Sequence, residues 1–165
     1  MFYHNLKVNL HLTENCNYHC HYCFAKYDGR DMTFDDWKVV IDNLSDSKLV
    51  SAINLAGGEP LVYPDFMKVL EYGQSKGFTM SFISNGSLLA EGKGFSTRSA
   101  PLVSCIGISI DSFNAPTLKQ IGRNTNKGTV LDVPKLESFL QECKRQNPEM
   151  TIKVNTVVSK WNQQE

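Results

Sequence analysis

Cys16, Cys20 and Cys23 fall within eight residues, in a C-x3-C-x2-C spacing directly after a predicted strand. A loop of that kind can wrap thiolates round one metal centre. Iron–sulfur clusters usually take four thiolates, so three leave one iron of a four-iron, four-sulfur cube without a protein ligand. Such an open position is what a reactive cofactor needs. Structural zinc with His19 or His21 as fourth ligand is the alternative, although histidines inside the cysteine run would give a cramped chelate. Buried, unligated thiols are a third reading. Cys105 and Cys143 stand apart, and five cysteines, an odd number with three clustered, do not suit a secreted disulfide framework. A second feature is Gly57-Gly58-Glu59-Pro60, a common turn sequence that here closes a predicted strand about 34 residues after the third cysteine. Taken singly, Lys153 on a strand and Arg123 in a loop read as surface charges.

These residues need elements to position them. Alternation and turn signals predict strands at residues 7–12, 52–55, 79–84, 105–110 and 151–158. Thr33 can cap a helix running to about residue 44, with Asp36 placed for a capping box. Pro64 and Asp65 open a second helix that Gly77 can close, and Pro134 begins a third reaching about residue 145. Residues 86–101 read as a loop or poor helix, and residues 122–128 as a polar loop. Strands alternating with helices imply parallel pairing in an α/β sheet or barrel.

The strands divide by face. Val8, Leu10 and Leu12 oppose Lys7, Asn9 and His11; Ile106, Ile108 and Ile110 oppose Cys105, Gly107, Ser109 and Asp111; Ile152, Val154 and Thr156 oppose Thr151, Lys153 and Asn155. Buried parallel strands are usually apolar on both faces. The polar set therefore predicts a ligand-filled lumen, with the apolar faces packed outward on helices; an ordinary sheet with one wet face is the alternative.

The 165 residues suit one domain, and no linker or repeat divides residues 1–165. Hydrophobic residues at 41% and charged residues at 21% argue against disorder. Seventeen basic side chains balance seventeen acidic ones, so no whole-protein field favours a DNA or RNA duplex or a membrane. The sequence holds no run of about 18 apolar residues and opens without a signal-peptide pattern, so a cytoplasmic location is expected.

The cysteine spacing is similar to that of the radical S-adenosylmethionine superfamily, and Gly57-Gly58-Glu59-Pro60 resembles its glycine-rich motif. Within the superfamily the chain resembles the viperin-like nucleotide dehydratases, prokaryotic ones above all. The similarity runs through residues 8–13, Cys16-Asn-Tyr, Cys23-Phe24, Ser84-Asn-Gly-Ser87, residues 108–113, Ile121-Gly-Arg123 and residues 153–157. It implies a partial parallel βα barrel, a four-iron, four-sulfur cluster on Cys16, Cys20 and Cys23, and S-adenosylmethionine as cofactor. It also implies dehydration of a ribonucleoside triphosphate to its 3′-deoxy-3′,4′-didehydro form through a 5′-deoxyadenosyl radical, an antiviral activity. An electron donor such as flavodoxin or ferredoxin is implied as partner.

By the same resemblance Gly57, Gly58, Glu59, Ser84, Asn85 and Ser109 surround S-adenosylmethionine, with the Glu59 carboxylate for its ammonium and the glycines admitting the ligand to the backbone. Asn9, His11, Arg123, Lys153 and Asn155 fall near the nucleotide. Arg123 offers a planar fork for phosphate, and Lys153 a proton for the departing hydroxyl. Many relatives have Lys at Ala52 and Ser at Ala56, so two polar contacts are missing from this pattern. Six βα units are usual and five are legible, so the core is expected to be C-terminally incomplete relative to the family. Two competing functions stay open: a radical enzyme acting on a peptide or protein, and a non-catalytic cluster-binding module that offers an unpaired sheet edge to a partner.

Overall fold

The computed structural model describes residues 5–24 and 30–165. Five parallel strands form one sheet in chain order: β1 (Leu6–His11), β2 (Val50–Ala56), β3 (Thr79–Ser84), β4 (Cys105–Ser109) and β5 (Thr151–Asn155). Parallel neighbours need long crossovers. Helices α1 (Phe34–Ser47), α2 (Phe66–Ser75), α3 (Ser87–Ala90), α4 (Ala115–Ile121) and α5 (Val133–Gln146) occupy these connections. The architecture is the expected partial parallel βα barrel.

Local chemistry explains the helix boundaries. Thr33 and Asp36 form the anticipated capping box, and α1 ends at Lys48, whose φ of 55° turns the chain out of the helix. Asp132 accepts the Lys135 backbone N–H at 3.1 Å, with Pro134 in the first turn of α5. Asp65 precedes α2 without a side-chain cap and instead pairs with Lys68 at 2.7 Å. The stretch read as loop or poor helix holds α3 and a 3₁₀ turn at Thr97–Leu102. Helix α4 lies outside the sequence reading, and β5 ends at Asn155, short of the expected residue 158.

The division by face holds. Leu10, Ile53, Leu55, Met80, Phe82, Ile106 and Ile108 pack with Trp37 and Ile41 of α1, Phe66, Val69 and Leu70 of α2, Leu89 of α3 and Leu136 of α5. Phe82 is central, with the Phe66 ring edge-on at 5.3 Å and Phe95 at 5.1 Å. On the other face the Asn54 amide donates to Asn9 at 2.9 Å, and Ser81 donates to Asn54 at 2.9 Å. The polar face is buried at its centre, at Asn54 and Ser81, and open at its two edges. Lys7, Asn9 and His11 are exposed along β1, and β5 is open on both faces, with Val154 56% exposed. Helices α1, α2, α3 and α5 all pack in the core on the apolar face, as expected.

Candidate functional site

A cavity of about 340 Å³ lies over the polar face and the loops that follow the strands. Cys16, Cys20 and Cys23 line it, together with Gly57 and Gly58 after β2, Ser84 and Asn85 after β3, and Ser109 of β4. Asn9, His11, Arg123 and Asn155 also line it. Twelve of the fourteen anticipated side chains or glycines therefore meet in one place. Glu59 and Lys153 are the two outside. Glu59 is fully buried behind the wall, and Lys153 is exposed on the same face of β5 as Asn155, one step nearer the start of the strand.

The cysteine loop is held from three directions. Gly58 N–H donates to Thr13 C=O at 2.8 Å and Glu59 N–H to Asn15 C=O at 2.9 Å, which zips the glycine motif to the residues just before Cys16. A Cβ on Gly58 would stand 2.4 Å from Asn15 C=O, so the glycine is needed for this close approach of two backbones. At the far side His19 N–H donates to Gly122 C=O at 3.2 Å and His21 N–H to Ile121 C=O at 2.9 Å. From the third side Asn17 reaches Asn85 and Ser87, each at 2.8 Å.

Charge is concentrated beside the loop. Arg123 is buried, with Nη1 3.2 Å from Tyr22 Oη and 3.4 Å from Asp111 Oδ2, and Nη2 donating to Ser109 C=O at 2.5 Å. Its guanidinium also lies over the Tyr18 ring, 5.7 Å from the centroid. Tyr22 donates to Asp111, and burial together with that bond pushes its phenol up, which keeps it a donor. The guanidinium expected to meet phosphate is thus already paired within the protein. Glu59 is similarly engaged: Oε1 accepts Leu61 N–H at 3.2 Å and Oε2 accepts Asn85 N–H at 2.7 Å. Burial pushes its carboxyl up to about 7, against the opposing pull of those two donors.

Sequence reasoning gave no role to Asn17, Ser87, Tyr22 or Asp111. Their signal was position: two flank the cysteines inside the motif, and two follow the ends of β3 and β4.

The family model for the radical SAM superfamily matches residues 10–155. The chain belongs to the radical S-adenosylmethionine superfamily. A curated S-adenosylmethionine-dependent nucleotide dehydratase from Selenomonas ruminantium is 43% identical over 96% of this chain and 58% of its own length. Another of that name from Fibrobacter sp. (strain UWH6) is 34% identical, over 94% of this chain and 48% of its own. The chain thus spans about half the length of the curated relatives it matches. Among solved structures, Streptococcus suis SuiB bound to precursor peptide SuiA superposes with a TM-score of 0.69 at 14% identity, over 94% of this chain and 34% of SuiB. A structure of anSMEcpe with AdoMet and a peptide gives 0.60 at 19%, over 92% and 42%. These two likenesses support the fold.

Radical SAM proteins carry a four-iron, four-sulfur cluster and S-adenosylmethionine, and the residues here fit both. Among the described residues no three His, Cys, Asp or Glu side chains converge as ligands of a single ion do. A cube asks for something else, because each thiolate binds a different iron. Burial pushes the Cys16 and Cys20 thiols up, opposed at Cys20 by Arg123.

Proposed function

We propose that this radical SAM chain is the cofactor-bearing core of a viperin-like nucleotide dehydratase, a lyase that removes water from a ribonucleoside triphosphate, with residues 1–165 as its core domain. The observation that carries the reading is the shared cavity. Its lining holds the three cysteines together with the polar side chains Asn9, His11 and Asn155 from the two edges of the sheet. The curated relatives named for this activity support it.

Cys16, Cys20 and Cys23 would hold the cluster, with Gly57, Gly58, Ser84, Asn85 and Ser109 on the side of S-adenosylmethionine. The bound pair supplies a carbon radical able to take hydrogen from a ribose. The protein's own work is to position and to exclude water. Asn9, His11 and Asn155 orient the sugar and phosphates. Lys153, on the Asn155 face, brings a proton to the departing 3′-hydroxyl. Arg123, held by Asp111 and Tyr22, fixes the wall between cysteines and substrate. A reductant of the flavodoxin or ferredoxin kind is required as electron donor. No helix among the described residues is long and apolar enough to cross a membrane, which suits a cytoplasmic enzyme.

The test is anaerobic cluster reconstitution, then incubation with S-adenosylmethionine, dithionite and each of the four ribonucleoside triphosphates in turn, with mass spectrometry of the products. The expected result is 5′-deoxyadenosine together with one nucleotide lighter by a water. Cofactor cleavage that leaves all four nucleotides unchanged would sink the substrate assignment.

A further inference from the structure

The Asn85 side chain is buried at the end of β3, and its hydrogen-bonding capacity can be counted in full. Its Oδ1 accepts both the Ser87 backbone N–H at 2.9 Å and the Ser87 hydroxyl at 2.6 Å. One hydrogen of Nδ2 goes to Asn17 Oδ1 at 2.8 Å, and Asn17 Nδ2 closes a ring by donating to Ser87 Oγ at 2.8 Å. The amide cannot be turned over, since that would set its NH2 against the Ser87 N–H. The remaining Nδ2 donor faces Cys16 Sγ at 3.9 Å. The backbone is fixed as well, because Asn85 N–H is held by buried Glu59 at 2.7 Å. Cys16 Sγ also accepts Tyr18 N–H at 3.4 Å.

We infer that Asn85 is a positioning residue for the cluster: the Asn17–Ser87–Asn85 ring aims its amide at the Cys16 sulfur, setting the reduction potential through an N–H···S contact. The inference rests on the cysteines holding the cluster and is independent of the nucleotide. Hydrogen bonds to the sulfurs are one of the levers on cluster potential. A donor at sulfur favours the reduced, more negative state. Without it the cluster is harder to reduce.

The experiment compares three reconstituted proteins by iron content and by redox titration followed by electron paramagnetic resonance. Asn85→Ser keeps a neutral turn acceptor for Ser87 and removes the donor to sulfur. Ser87→Ala breaks the ring and leaves the donor. With iron content near the original, Asn85→Ser should reduce about tenfold less readily at a fixed potential, a shift of about 59 mV to the negative for a one-electron couple. Ser87→Ala should shift less and lose iron faster to a chelator. An Asn85→Ser protein with full iron and an unchanged potential overturns the inference, and so does an equal shift in Ser87→Ala, which would make the effect a general loosening. If Asn85→Ser takes up no iron, Asn85→Ala, which also lacks the donor and adds no charge beside the sulfur, serves in its place and must also move negative. Failure of the unsubstituted protein to take up iron would overturn the cysteine assignment itself.

Discussion

Glu59 shows how much of a residue's setting lies outside its type and spacing. The motif suggests a carboxylate for an ammonium; the fold gives both oxygens to the backbone of Leu61 and Asn85. Spacing records which residue follows two glycines, but not that neighbouring N–H groups will claim its oxygens. Its carboxyl is pushed up to about 7 by burial, so the folded state holds a proton that the unfolded chain releases near its ordinary value. The associated stability is fully present below about pH 4.5 and is lost as pH rises through 7, on the order of 3 kcal/mol in all. Denaturant unfolding of the metal-free protein at pH 5 and pH 8 should show that loss, and Glu59→Gln should remove that part of the slope. Equal slopes in the two proteins would refute the buried, protonated carboxyl. Arg123 makes the same point with opposite charge. Removing it as Arg123→Met leaves the buried Asp111 carboxylate without its counter-charge, at a cost of about 3–5 kcal/mol. Thermal melting should recover much of that in the Arg123→Met, Asp111→Asn double variant, since the orphaned charge is gone.

At the scale of elements, the capped helices were legible because their signals are local. Thr33 with Asp36, and Pro134, each announce a first turn within four residues, and the structure adds Asp132 as the cap of the latter. Helix α4 was missed because seven residues carry too little apolar period, although Asn114 and Pro116 do form a start signal, the Asn114 side chain accepting Thr117 N–H at 3.4 Å. That short helix matters because Gly122, which ends it, backs the cysteine loop. Its φ is 82°, and an added Cβ would stand 2.4 Å from His19 C=O. Gly128 has a similar φ of 76° with open space around it. The pair separates backbone strain from loop contact. Gly128→Ala should cost about 1 kcal/mol and leave iron uptake intact. Gly122→Ala should cost about 2–4 kcal/mol, since an immovable carbonyl is added to the strain, and should lower iron uptake during reconstitution. Matched losses in the two variants would show that the loop does not depend on this contact.

Across the whole molecule, the alternation of polar and apolar side chains specified which face of the sheet meets the helices and which meets the cavity. It could not tell how far the polar face is covered, buried at Asn54 and Ser81 but exposed at Lys7 and Lys153, because periodicity gives a side chain's direction and not what lies beyond it. The polar face nonetheless joins Asn9 on β1 to Asn155 on β5 within one cavity lining, and the proposed substrate depends on that span. Same-face neighbours on a strand stand about 7 Å apart, a distance the four-carbon stem of Lys153 can cover to reach alongside Asn155. Asn155→Leu keeps the volume and removes the hydrogen bonds, worth about 1–1.5 kcal/mol each, so triphosphate affinity should fall about tenfold by calorimetry. Lys153→Met should separate two products. Proton delivery to the leaving hydroxyl comes after cofactor cleavage, so 5′-deoxyadenosine should continue to form while dehydrated nucleotide falls by a factor of about a hundred or more. If Lys153→Met yields both products at the original ratio, and Asn155→Leu binds triphosphate as before, then the nucleotide does not lie along this face and the dehydratase reading fails at its substrate half.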